Sequence, residues 1–340
     1  MEGSGLWLSQ RNFKIDSPRP NSSPKHQPLS NPGLSGSHTF LTIKATSQLS
    51  KPKMSGIEVA IFGPRDGVAA VKAVGEKLNG KTRLELNRTG SYEQNGLTPS
   101  TWELEHLNAS LDHAGLQDVP VRIMIRPCGA PKLGPDFVYS DAEFEQMKSD
   151  IRKFKESKHM SRERGDGFVF GVLRQSCSVP QMLVVDRVRT AELKHLAGDD
   201  FKCVFHRAFD LVISTSRDEM WVDDLEWLKT QGMAVLTSGG CGNASNNTKA
   251  LKQVLIETAR IGQELIVGGG VRSDTLESLG NGMGGLGYIY ALTSLHSVGM
   301  VLHSSFLKRG PSNVVSFDVE EARKFKATLY TLISSQGCAN

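Results

Sequence analysis

From residue 57 onward the chain alternates between short apolar runs and longer stretches with helical periodicity. The runs are IEVAIF (57–62), TRLEL (82–86), VPVRIMI (119–125), GFVFGVL (167–173), FKCVFH (201–206), MAVLTS (233–238), ELIVGG (264–269) and GMVLHS (299–304). Several are almost continuously apolar, the pattern of parallel strands covered on both faces. Between them, residues 141–157 place Phe144, Met147, Ile151 and Phe154 at helical spacing behind Ser140 or Asp141 as N-cap. Residues 218–232 put Trp221, Leu225 and Leu228 on one face and end at Gly232; residues 246–262 end similarly at Gly262. A last helix is expected over 318–335.

Eight strands, each followed by a helix or a segment long enough to be one, predict a closed α/β barrel of the (β/α)8, or TIM, class. A doubly wound open sheet is the competing arrangement. It usually has fewer strands and an early glycine-rich phosphate turn, and the first turn here, FGPRDG, lacks GxGxxG. Two segments fit the barrel pattern poorly. Residues 126–141 read as a long loop after the third strand, and the glycine-rich residues 280–298 read as an irregular insertion before the eighth.

Composition divides the chain at about residue 54. Residues 1–54 are rich in Ser, Pro, Asn and Gly without periodicity, and residues 1–53 hold seven Lys/Arg against two acids. Such a segment cannot bury enough apolar surface to offset its ordering entropy and is expected to be a disordered basic tail. It has neither a signal-peptide apolar core nor an Arg-bearing amphipathic helix of transit type. Met54 stands where the ordered pattern begins and is a conceivable alternative start. Residues 55–336 are expected to form the barrel. A net charge of +4, with no Lys/Arg block interleaved with aromatics, argues against nucleic acid. No run is long enough to cross a bilayer. Five scattered cysteines without a CxxC pair suit a reducing, cytoplasmic setting better than a disulfide framework.

Barrel active sites lie at the C-terminal strand ends, and there the polar residues collect. The first two strands carry Glu58 and Glu85, the third ends in Arg126, the fifth in His206 and Arg207 with Asp210 a turn on, and the eighth in His303. Buried charges need partners, so Glu58 and Glu85 are expected to pair with Arg126 or Arg207. Such pairs serve equally well to hold a barrel together. In a catalytic reading, His206 is the general acid/base oriented by Asp210, with Glu58 and Glu85 nearby. Arg126 and Arg207 then clamp an anion, and His303 joins them. Gly268, Gly269 and Gly270 after the seventh strand bring backbone amides to a phosphate, with Ser273 capping the next helix. Ser238 and Gly239 after the sixth offer a second cradle. Tight βα turns also favour glycine. Cys203 alternates opposite to His206 and should face the helices; Cys128 and Met124 lie around the end of the third strand.

VRIMIRP followed by DFVYSDAEFEQMKSDI (121–151), DGFVFGVL (166–173), VFHRAFD (204–210), LTSGG (236–240) and GGG (268–270) together resemble the CutC copper-homeostasis family. GIEVAIF, TRLELN and GLTPS match its opening strands in register, and the similarity runs from about Gly56 to Ser305. The resemblance implies a TIM barrel, a cytoplasmic or organellar location, a role in copper tolerance with copper as the bound ion, and often a homo-oligomer; it implies no settled enzymatic activity. It also implies Cu(I)-binding thiols two residues beyond each strand glutamate. Those positions are Ala60 and Asn87 here, and Cys128 stands where the family has an arginine. Cu(I) selects soft sulfur ligands, so Cys128 is the one metal candidate near the site, assisted by His206, His303 or Met124. Three functions follow: copper binding, action on a small anionic ligand, phosphorylated ones included, or an inert scaffold.

Overall fold

The computed structural model describes residues 56–75, 82–179, 181–285, 288–289, 292–293, 299–310 and 315–336. The expected tail and the Met54 start lie outside them, as does much of the 280–298 insertion. Eight parallel strands close into a barrel: β1 (Gly56–Phe62), β2 (Arg83–Asn87), β3 (Val121–Met124), β4 (Gly167–Phe170), β5 (Lys202–Phe205), β6 (Ala234–Thr237), β7 (Leu265–Val267) and β8 (Met300–Ser304). Each pairs with its sequence neighbour, and β8 returns to β1 with Glu58 opposite His303. All eight apolar runs became strands.

Strand alternation divides the core in two. Met124, Val169, Val204, Leu236, Ile266 and Val301 point inward and fill the lumen as one apolar cluster. Their outward neighbours, among them Ile123, Phe168, Phe205 and Val235, join the larger cluster beneath the helices. Cys203 belongs to that outer cluster, as its alternation with His206 requires.

The expected helices occupy Asp141–Glu156, Trp221–Thr230, Thr248–Ile261 and Val319–Gln336. Ser140 caps the first in a reciprocal box with Glu143. The second begins later than its pattern suggests because Asp218 and Glu219 adopt positive φ. Ser273 does not cap the helix Leu276–Gly282; its hydroxyl and amide both bond Glu321, and Thr275 takes the N-cap position.

Two short antiparallel hairpins interrupt the repeat. Leu173–Gln175 pairs with Leu183–Val185 after β4, and Leu307–Arg309 with Val315–Phe317 after β8. The GFVFGVL run therefore splits, the barrel strand ending at Phe170 and the hairpin starting at Leu173. Gly171 lies at the break because a Cβ there would meet His206 Nδ1 at 2.6 Å.

Phe168 is fully buried beneath the helices. Phe168→Ala is expected to cost about 3–5 kcal/mol in urea unfolding, and Ser140→Ala about 1 kcal/mol, with the far-ultraviolet circular dichroism of both folded states unchanged.

Candidate functional site

The C-terminal ends of the strands surround a cavity of about 620 Å³, a size suited to a small metabolite. Of the residues expected there, Glu85, Arg126, His206, Arg207, Asp210, Gly269, Gly270 and His303 line it. Glu58 lies fully buried behind them. Ser238 and Gly239 are buried outside the lining, and Gly268 closes a strand-end bond from its amide to Thr237 O.

The partners differ from those expected. Glu58 pairs with Arg83, its register partner on β2, through Oε2 at 2.5 Å from Nε. Arg83 also reaches Glu264 at 3.0 Å. Glu85 Oε1 accepts from Asn87 Nδ2. Neither glutamate pairs with Arg126 or Arg207: Arg83 takes Glu58, and Asn87 and His303 neighbour Glu85. Arg83 shares the inward face with Glu85, and this alternation was the clue to it in the sequence.

Arg126 is a brace. Its Nη2 binds Asp136 at 2.8 Å, its Nη1 binds the carbonyls of Gln94 and Asn95, and its guanidinium stacks on Phe137. It therefore ties the loop after β3 to the loop after β2, while its Nε stays buried without a partner. The DF dipeptide that follows β3 supplies both partners.

Asp210 does not orient His206. Its Oδ1 accepts from Thr237 Oγ1 and Ser238 N at 2.5 and 2.7 Å, and its Oδ2 from Ser238 Oγ and Arg207 Nε at 2.6 and 2.7 Å. Ser238 and Gly239 thus serve this knot, Gly239 N donating to Thr237 Oγ1. Asp210 in turn fixes Arg207, whose Nη2 reaches Ser238 Oγ and Gly242 O.

His206 Nδ1 accepts from Ala208 N at 3.1 Å, so the ring proton resides on Nε2. That Nε2 is buried without a partner. Burial, then the charges of Arg126 and Arg207, push the imidazole down to about 3. At neutral pH it is an uncharged ring on a residue that lines the cavity.

His303 behaves oppositely. Burial opposes its charge, but the neighbouring carboxylates of Glu85 and Glu58 outweigh burial and raise its pKa. Glu85 is lowered in return: burial resists, and His303, Asn87 and Arg83 overcome it. His303 Nε2 is 3.4 Å from Glu85 Oε2 and 3.8 Å from Glu58 Oε1.

Gly269 and Gly270 take φ of 91° and 72°, which favours glycine. Their amides donate to no other group among the described residues. Further lining comes from Tyr92, Glu93, Asn243, Arg272 and Arg309, which the strand ends alone did not indicate; Arg309 pairs with Glu93 at 2.6 Å across the mouth.

Sulfur is scarce here. Cys128 Sγ donates to Glu143 Oε1 at 3.1 Å, outside the cavity lining, and burial followed by Glu143 pushes its thiol to about 11. Cys203 faces the helices and is pushed to about 12 by burial. Ala60 and Asn87 carry no thiol at the two inward positions. Among the described residues only Cys241 and Met124 bring sulfur to the lining of the cavity, while its remaining donors are nitrogen and oxygen. This set does not fit a paired-thiolate Cu(I) site.

The fold and mouth define a (β/α)8 barrel with a polar, metabolite-sized site at its C-terminal face. The chain belongs to the CutC family, whose model matches residues 67–291. It is 30% identical to the human copper homeostasis protein cutC homolog over 240 residues, 71% of this chain and 76% of that one. The Drosophila melanogaster homolog of the same name is 31% identical over 66% of this chain and 72% of its own length. A solved CutC structure from Streptococcus agalactiae superposes with a TM-score of 0.51 at 21% identity, covering 74% of this chain and 98% of that one, and supports the fold.

The two histidines are expected to part on titration. The folded pKa of His206 lies below its unfolded value of about 6.5, so its contribution to stability falls as pH drops from there towards 3. The contribution of His303 is full below 6.5 and is lost as pH rises through its raised folded pKa. Imidazole NMR between pH 5 and 8 should show His206 neutral throughout and His303 still charged above pH 6.5; a midpoint near 6.5 for both contradicts this geometry.

Proposed function

We propose that this chain serves copper homeostasis, the role its curated relatives are named for, by binding a small anionic metabolite at the barrel mouth and not by thiolate capture of Cu(I). The observation that carries this reading is His206, a residue of the cavity lining whose buried Nε2 donor has no acceptor of its own. A buried donor without a partner costs roughly 1–3 kcal/mol, and a ligand oxygen relieves that cost. Arg207 is held by Asp210 on one edge, and among the described residues its Nη1 has no partner. The free amides of Gly269 and Gly270 add donors at the place where barrels commonly hold phosphate. Carboxylate and phosphate groups both match these donors. The four described cysteines are free, which supports a reducing compartment such as the cytoplasm.

Differential scanning fluorimetry with inorganic phosphate and a panel of phosphorylated and carboxylated metabolites tests the binding. A ligand present at 100 times its Kd adds about 2.7 kcal/mol and is expected to raise Tm by a few degrees. His206→Ala should abolish that rise while retaining a cooperative melt. Equal shifts in both proteins, or none in either, sink the reading. In anaerobic Cu(I) titration against a competing chelator, the chain should bind no more tightly than a Cys128→Ser/Cys241→Ser variant; tight stoichiometric binding lost in that variant restores direct copper capture.

A further inference from the structure

We infer that Glu58, Glu85 and His303 form a binding site for a divalent first-row cation, held by two carboxylate oxygens and one imidazole nitrogen inside the barrel. The three side chains come from adjacent strands, β1, β2 and β8. One ligand atom from each lies within 4.8 Å of the other two. Glu58 Oε1, Glu85 Oε2 and His303 Nε2 are all buried, and none has a hydrogen-bond partner. His303 Nε2 approaches the two oxygens at 3.4 and 3.8 Å, but neither contact has hydrogen-bond geometry.

The 3.4 Å spacing of His303 and Glu85 suits an ion, and binding would draw the wider pairs inward. Bonds of about 2.1 Å in tetrahedral geometry separate ligand atoms by about 3.4 Å. Each carboxylate is also steadied from behind. Arg83 holds Oε2 of Glu58 and Asn87 holds Oε1 of Glu85, so the opposite oxygen of each is left bare and oriented. Outer partners of this kind are what fix metal ligands in place. Glu85, His303 and the small Ala60 line the cavity, so the trio borders it. Three protein ligands with one open side are the arrangement of an ion that also takes water or a ligand atom. The donor set is nitrogen and oxygen, which selects Zn2+, Co2+ or Mn2+ and disfavours Cu(I). The site shares no residue with the proposed anion contacts of His206 and Arg207, so each can be tested by its own variants.

The test uses the full chain, stripped of metal and freed of chelator. Zn2+ titrated by calorimetry should bind in one equivalent. Co2+ should give visible d–d absorption bands of a nitrogen- and oxygen-ligated ion. Glu85→Gln and His303→Gln should each weaken Zn2+ at least 10-fold and remove the Co2+ bands. Crystals of the wild-type chain soaked in Zn2+ should show anomalous density between the three side chains, a measurement that needs no folded variant. The inference is overturned if no stoichiometric ion binds, if the anomalous density lies elsewhere, or if folded variants bind as the wild type does; the trio is then a proton-held ion pair.

Discussion

A closed barrel that places two glutamates in its lumen must neutralise them without water. The Glu58–Arg83 pair is the first answer, formed between register partners on β1 and β2 and buried on both sides. Burial alone disfavours both charges, so the pair persists through its geometry and through Glu264, which shares the guanidinium. Once Arg83 is committed to Glu58, Glu85 must find another partner, and the one within reach is His303. The polarity of the mouth follows from that allocation: an imidazole raised by its carboxylate neighbours at the end of β8, one held down by burial at the end of β5, and arginines turned towards the loops.

The same allocation explains why the two histidines differ although both end a barrel strand. His303 meets carboxylates, whereas His206 meets a backbone amide and two arginines. Asp210 does not take the role its sequence position suggests, because Thr237, Ser238 and Arg207 saturate its oxygens first. The knot around Asp210 joins β6 to the start of the helix after β5 and gives Arg207 a fixed edge. Arg126 does the corresponding work on the opposite side, where it holds the loop after β3.

The barrel was legible in the sequence because parallel strands buried on both faces leave unbroken apolar runs, and every one of the eight was visible. The hairpins were not, since strands such as Leu173–Gln175 are three residues long and largely exposed, too short for a period to register. The membership of the site could be read from strand ends, and Glu85, His206, Arg207 and His303 do share one cavity. Their partnerships could not. A partner depends on register and rotamer, so Arg83 and Asp136 displaced the expected arginine–glutamate pairs although both stood in plain view.

Gly171 has a consequence for how this chain can vary. A Cβ at 171 would strike the His206 ring at 2.6 Å, and one at Gly167, at the start of β4, would strike Lys202 O at 1.9 Å. Both obstacles belong to the strand β5 and its end. Where β4 and β5 run this close, positions 167 and 171 have no room for a side chain, and a single-residue replacement at either glycine must shift backbone or the His206 ring. Tolerance to mutation is therefore uneven around the barrel: the helical exterior can drift, while the β4–β5 border holds both glycine and histidine in place as a unit.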